Sequence, residues 1–239
     1  MGKQRLDKII SSQFNISRSE ARASVRRGQV CVDGSIIKDF GALIDPETQS
    51  VSFGNENMNY KKHIYVMLNK PKGVLSASTD KNRETVVDLV PPELSRNGLF
   101  PVGRLDKETT GLIIITDDGD FAHKVISPKM EVNKTYIATL DGEVTKDMCD
   151  KFAAGIVLAD GTKCRSAILE PLSKTQTKIT IYEGKYHQIK RMFGTVGLGV
   201  NELHRISVGG LVLPKDLDCG KCVELDNNQI KLVFIKLTL

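Results

Sequence analysis

Residues 101–123 read PVGRLDKETTGLIIITDDGDFAH, and one carboxylate in them organises everything around it. Asp106 falls between Arg104 and Lys107, just before a Thr109-Thr110-Gly111 turn and the apolar run Leu112-Ile113-Ile114-Ile115. A run so rich in β-branched residues predicts a buried strand. The turn therefore delivers an acid flanked by two cations to the edge of a core. Three uses fit such a residue: a solvated loop position, an ion-pair partner, or a group that does chemistry. Beyond the run, Asp117-Asp118-Gly119 reads as a turn and an N-cap for the helix predicted in GDFAHKVIS.

Working outward, IYVMLNKPKGVLSAS begins with a strand. Further strands are predicted in TYIATLDGEV, SAILEPL, TKITIYEG, VNELHRISVGGLVL and IKLVFIKL, the last being residues 230–237. Helices are predicted in TKDMCDKFAAG and YHQIKRMFGTVG. Strands come in runs rather than alternating singly with helices, which points to an α+β fold with a mixed, largely antiparallel sheet flanked by helices. Residues 54–63, GNENMNYKKH, are polar and turn-rich and read as a linker. There is no internal repeat and no low-complexity tract.

Ahead of that linker the pattern changes. KQRLDKIISSQF sets Leu6, Ile9, Ile10 and Phe14 at helical spacing. A second helix, RSEARASVRRG, starts behind Ser17 as N-cap with Glu20 completing a capping box, and stops at Gly28. QVCVDGSIIK then gives two β segments about an Asp33-Gly34 turn, followed by SVSF. Arg18, Arg22, Arg26 and, slightly offset, Arg27 recur every three to four residues and can share one cationic face.

The charge balance bears on partners. The formal net charge is +5. Residues 1–38 hold eight Lys/Arg against three acids, whereas the other 201 residues hold 26 of each. An excess confined to one end is the footprint of a polyanion-binding module. A hydrophobic content of 40% and a charged content of 26% are those of an ordinary soluble globular protein. No apolar run approaches the ~18 residues that span a bilayer. MGKQRLDKIISSQF has no signal-peptide centre, and Leu6 stands where myristoylation wants Ser or Thr, so the expected compartment is the cytoplasm. The five cysteines are scattered, and Cys219-Gly-Lys-Cys222 lacks the second pair a zinc site needs, so no metal is expected. Gly103, Gly111 and Gly119 make no phosphate loop, because no Gly-Lys-Ser/Thr follows.

RLDK, SRSEAR and GQVCVDG, in that order, resemble the S4 RNA-binding domain over residues 1 to about 48. That resemblance implies that the basic helix face, with Arg18, Arg22, Arg26 and Arg27, lies against structured RNA and positions it through phosphates. LNKPKGVLSA, GRLDKETTGLIIITDDGDFAH, KTYIATLDG, EGKYHQIKRMFGTVG and ELHRISVGGLVLP are similar, also in order, to the RsuA-type pseudouridine synthases. The likeness spans essentially the whole chain. It implies an S4-like domain at residues 1–53, a linker at 54–63 and a pseudouridine synthase catalytic domain at 64–239.

The implied activity is the isomerisation of a uridine in ribosomal RNA: the base is cut from C1′, turned, and rejoined through C5. YHQIKRMF and ELHRISVGG look like the small-subunit branch, for which uridine 516 of 16S rRNA is the expected target. The neighbouring branch acts on 23S rRNA. A non-catalytic RNA-binding assembly protein on the same fold is the reading from another class. No metal or cofactor is implied. The implied partner is 16S rRNA or a small-subunit assembly intermediate, with no membrane and no obligate protein partner, so a monomer is the default.

By the same resemblance Asp106 is the catalytic aspartate, either adding to C1′ or removing a proton from C2′. Lys190 matches the basic residue that pairs with that acid. Many relatives have arginine there, which leaves Lys190 and Arg191 both open as the partner. Tyr136 matches the tyrosine that packs on the uracil ring, and Leu203 an apolar residue lining the pocket. Arg104 matches an arginine that either fills the space of the flipped base or binds phosphate. Lys185 and Arg191 join the helical arginines as expected RNA contacts, and His187 and His204 sit among basic residues where RNA could reach them.

Overall fold

Leu6, Ile9 and Ile10 lie three and four apart, and all three are fully buried on one side of helix α1 (Leu6–Gln13). Helix α2 (Arg18–Arg26) starts where Ser17 Oγ accepts from Glu20 N at 3.1 Å, and it turns Ala21 and Val25 toward α1. Behind the helices run β1 (Val30–Val32), β2 (Ser35–Ile36), β3 (Val51–Phe53) and β4 (Glu56–Asn57). They form an antiparallel sheet in the order β2-β1-β3-β4. Asp33 and Gly34 take φ of +50° and +78°, the double left-handed geometry of a two-residue hairpin turn. Val30, Val32 and Val51 close the core against the helices.

The computed structural model describes residues 2–235 and divides into two units, Met1–Ile64 with Pro92–Leu99, and Tyr65–Pro91 with Phe100–Leu239. In the first unit the segment expected as a linker is partly ordered structure, since β4 pairs with β3. The Gln13 side chain clasps both the N–H and the carbonyl of Lys61. Residues 92–99, unassigned in the sequence, supply Arg96, whose nearly buried guanidinium donates to the carbonyls of Ser12 and Lys61 at 3.1 and 2.6 Å.

The second unit is built on β5 (Tyr65–Lys70), β6 (Thr110–Thr116), β7 (Lys134–Leu140), β8 (Ile168–Pro171), β9 (Gln176–Ile181), β10 (Val200–Val208) and β11 (Cys222–Glu224). Their order is β8-β9-β7-β10-β6-β5-β11, with short additions at Phe100–Pro101 and Leu211–Val212. Every pairing is antiparallel except β10 with β6, which run parallel at His204↔Thr110 and Arg205↔Gly111. Gly111 is required at that seam. Its φ is +98°, and a Cβ there would lie 2.7 Å from the Arg205 backbone nitrogen.

The Leu112–Ile115 run is buried as its composition predicts. Helix α3 (Gly119–Ile126) covers Leu112 and Ile114 with Phe121 and Val125. Asp118 caps α3, accepting from Phe121 N at 3.0 Å and from the Tyr65 hydroxyl at 2.6 Å. Helices α4 (Lys146–Ala154) and α5 (Gln188–Thr195) meet through Phe152 and Phe193, ring centroids 5.0 Å apart.

The strand expected in residues 230–237 is not what forms. Asp226 and Gln229 make a reciprocal capping box that starts α6 (Asn227–Leu232), and turn hydrogen bonds continue to Ile235. Ile230, Val233 and Phe234 are spaced three and four apart, and in a helical arrangement all three reach the core of the second unit. Residues 236 and 237 lie outside the described residues. The architecture is otherwise the expected α+β one.

Candidate active site

The chain before β6 is pinned on both sides of Asp106. The Ser76 hydroxyl, buried, donates to Leu105 O at 2.9 Å and accepts from Leu105 N at 3.0 Å. On the far side Lys70, at the end of β5 and fully buried, donates to the carbonyls of Pro71, Lys107 and Thr109 at 2.9, 3.1 and 3.0 Å. Three acceptors match the three donors of an ammonium group. Burial lowers the Lys70 pKa to about 8, against the opposing pull of the Glu108 and Asp106 charges. Asp106 O accepts from Thr109 N at 3.0 Å and closes the turn. Leu105 is buried, and Asp106 keeps 29% of its side chain open.

That carboxylate faces two adjoining recesses of the second unit, of about 750 and 70 Å³. Arg104, Asp106, Tyr136, Lys185 and His187 line both. Lys190 and Leu203 line the smaller one. Tyr136, on β7, and Leu203, on β10, are each 7% exposed. The β7–β10 register pairs Tyr136 with Arg205 and Ala138 with Leu203, which brings both side chains to the same end of the sheet. Five residues singled out in the sequence for the reaction, Asp106, Tyr136, Lys190, Leu203 and Arg104, thus share one site.

Arg191 turns elsewhere: its guanidinium bonds Asp160 and donates to Tyr186 O at 3.3 Å. Lys185 donates to Lys163 O and pairs with Glu183 at 3.3 Å. The side-chain contact to Asp106 comes from His187, whose Nε2 lies 3.4 Å from Oδ1. His187 is the N-cap of α5 and takes φ +47°. The sequence had suggested RNA for this histidine, and its contact with the acid depends on a backbone twist that no spacing rule reveals.

Further residues went unassigned in the sequence. Arg205 is 4% exposed, donates to Leu112 O at 2.7 Å, and sets its guanidinium 5.9 Å from the centre of the Tyr136 ring. Lys134 lines the larger recess and bonds the carbonyls of Val132 and Val125 at 2.6 and 3.3 Å. Burial, then the Arg205 charge, brings its pKa down to about 8. Both sit inside the quoted KTY and LHR segments, where position in the motif was the only available signal. His204 bonds Thr110 Oγ1 through Nδ1 at 2.8 Å, and burial lowers its pKa. Cys222 is pushed up to about 11 by burial. Among the described residues no group of three or more His, Cys, Asp or Glu could hold a metal ion.

In the first unit the arginines gather around one acid. Asp7 on α1 is completely enclosed and pairs with Arg5 at 3.1 Å, Arg18 at 3.3 Å and Arg22 at 2.8 Å. These partners, hydrogen bonding ahead of burial, hold its pKa far below the carboxylate range. Arg5, Arg22 and Arg26 also converge on the Phe40 ring, at 5.9, 5.5 and 4.8 Å. Arg27 is separate, bonded to Ser24 and Gln29. Three of the four expected arginines therefore lie in one organised cluster.

Comparison with known proteins closes the assignment. The family model for RNA pseudouridylate synthase matches residues 64–195, and that for the S4 domain matches residues 4–49. A Bacillus subtilis protein named as an uncharacterized RNA pseudouridine synthase is 40% identical over 96% of this chain and 98% of its own. The Escherichia coli ribosomal small subunit pseudouridine synthase A is 39% identical over 96% of this chain and 99% of its own. A solved structure, described as a pseudouridylate synthase, superposes with a TM-score of 0.68 at 35% identity, covering 96% of this chain and 99% of that one. No described helix is long and apolar enough to cross a membrane. With an S4 domain followed by a pseudouridylate synthase domain, and relatives of both parts along nearly its whole length, this chain belongs to the RNA pseudouridine synthases of the RsuA type.

Proposed function

We propose that this enzyme converts one uridine of 16S ribosomal RNA, uridine 516, into pseudouridine, with Asp106 as the group that acts on the sugar. The observation that carries this reading is the carboxylate itself. It is held by Ser76 and Lys70 through its neighbours' backbone, and opens at the junction of two recesses walled by Tyr136 and Leu203. The 16S target is supported by the small-subunit relatives at 39% identity along nearly the full chain.

Breaking the N-glycosidic bond leaves C1′ short of electrons, and a fixed carboxylate beside it can hold that charge or bond to the carbon. Removing the C2′ proton would use the same position. Tyr136, backed by Arg205, offers a ring face to the uracil as it turns. Lys190 supplies positive charge in the smaller recess, His187 contacts the acid, and Arg104 lines both recesses for a phosphate or for the gap left by the base. The residues 1–53 module, with its Arg18, Arg22 and Arg26 cluster, docks the RNA, and residues 64–239 do the chemistry. Lys185 and Arg191 add contacts nearer the site. The enzyme works in the cytoplasm as a monomer.

Release of tritium from rRNA labelled at uridine C5 tests the reaction, because the new bond at C5 must expel that hydrogen. Wild type should release tritium from 16S rRNA or its assembly intermediates, and Asp106→Asn should not. Label lost only from 23S rRNA would overturn the target. No release from any rRNA would leave an RNA-binding protein without this activity.

A further inference from the structure

Tyr186 breaks the rule that large aromatic rings are covered. The residue is 77% exposed, the highest value among the exposed large hydrophobic residues described. One face of the ring is nevertheless used: it lies flat on the His187 imidazole, centroids 3.9 Å apart and planes 16° apart. His187 in turn reaches Asp106 through Nε2, so a line of contacts runs from the carboxylate to Tyr186 on the wall of the 750 Å³ recess. The backbone beneath is fixed. Arg191 donates to Tyr186 O, and Gln188 Oε1 accepts from Lys185 N at 2.9 Å. His187 holds φ +47°, a conformation that costs a non-glycine residue on the order of 1–2 kcal/mol and that orients its ring under Tyr186.

We propose that Tyr186, backed by His187, is a stacking platform for an unpaired nucleobase next to the uridine in the recess. The inference rests on the reading of the recess as an RNA uridine site. A uridine turned into the recess leaves its neighbour without a stacking partner, and the open face of Tyr186 replaces it. The walls around the platform suit RNA. Arg83, Arg104, Lys107, Lys134, Lys185 and Arg205 line the recess against only Asp80 and Asp106. A phosphate alone would need none of the ring surface, whereas a base gains about 1–3 kcal/mol from such a face. Because the ring is fixed before the RNA arrives, little ordering is needed on binding. Tyr186 is thus a positioning residue: it acts on capture of the substrate and leaves the bond-breaking to Asp106.

The test is binding by the full chain, without turnover, so that failure of the isomerase reading does not obscure it. Two fluorescein-labelled RNAs of about ten nucleotides serve as probes, one of uridines and one of abasic ribose with the same number of phosphates. Tyr186→Ala should lose about 5- to 150-fold affinity for the uridine strand. For the abasic strand it should change by less than about twofold, since the phosphates are unaffected. Tyr186→Phe should behave as wild type. The side chain is exposed, so these variants leave the core intact. Irradiation of the complex with a 5-bromouridine strand should also place an adduct on Tyr186. Equal loss for both strands, or adducts confined to other residues, would overturn the proposal.

Discussion

The two units each depend on an aspartate, and they use it in opposite ways. Asp7 is sealed from solvent and shared by three arginines at 2.8–3.3 Å. Asp106 keeps 29% of its side chain open, and a histidine approaches it at 3.4 Å. The Ser76 and Lys70 hydrogen bonds that fix the turn fall on the neighbours' backbone, the Asp106 carbonyl accepts from Thr109 N, and its carboxylate is left at the recess. A carboxylate saturated with guanidinium groups is a structural tie. One held through the peptide on either side is positioned yet available to react.

The sharpest way to break this contrast is to neutralise each acid in turn. Asp106→Asn should lower single-turnover isomerisation by about 10³-fold or more, the scale of losing an acting acid or base. Its thermal stability should change by no more than about 0.5 kcal/mol, as for a partly exposed side chain. A large loss of stability would mean that Asp106 is a tie after all. Next comes Lys70→Met, which removes the ammonium donor from the half-buried carbonyls of Pro71 and Lys107 and from the buried carbonyl of Thr109, Lys107 O keeping Gly73 N, at a cost on the order of 1 kcal/mol each. We expect the unit to lose about 3 kcal/mol in denaturant melts. In what still folds, kcat should fall while KM holds, because the turn carrying Asp106 is loosened and the RNA surface is untouched.

The comparison also marks what the sequence can carry. Asp106, Tyr136, Lys190 and Leu203 were legible as candidates because each sits in a motif of fixed order; the β7–β10 register joins Tyr136 and Leu203, and the turn before β6 and helix α5 bring in Asp106 and Lys190. Lys70 lay in LNKPKG without a role, since its partners are backbone carbonyls that any residues could supply. His187 was readable as a basic neighbour but not as the contact of Asp106, which depends on its left-handed backbone. Asp7 looked like one more polar residue on an amphipathic helix; only the packing of α1 beside α2 shows that it faces inward to Arg18 and Arg22. The apolar content of residues 230–237 reads as a strand, whereas the Asp226–Gln229 capping box starts a helix just ahead of it. Residues 92–99 had no periodicity to read, and Arg96 reaches the carbonyls of Ser12 and Lys61, which no sequence pattern marks.

Asp7→Asn should cost the S4 unit on the order of 1–3 kcal/mol, the worth of hydrogen bonds to a charged group. The cost depends on pH with a definite sign. The folded pKa of Asp7 lies below the unfolded value of about 3.9, so the unfolded chain binds more protons in that interval. The stabilisation is complete above about pH 4 and is lost as pH falls toward the depressed value. Melts from pH 6 down to about 2 should therefore show a decline in wild type that Asp7→Asn lacks. Parallel curves would remove the tie.

The smallest effect separates organising an arginine from using it. Arg26 stacks on Phe40 at 4.8 Å and takes no part in the Asp7 cluster, so removing it leaves the three-arginine tie intact. If its charge serves RNA phosphate, Arg26→Ala should flatten the dependence of log affinity on log salt by about one phosphate's share, ~0.7–0.9. Affinity should fall several-fold, uniformly across RNA sequences, because phosphate contacts do not read bases. The single-turnover rate at saturating enzyme should stay unchanged, because that rate reports the other unit. A drop in that rate would mean that the arginine cluster does more than capture RNA. An unchanged salt slope would instead make the Arg26–Phe40 stack purely structural, leaving Arg18 and Arg22 to explain the basic face.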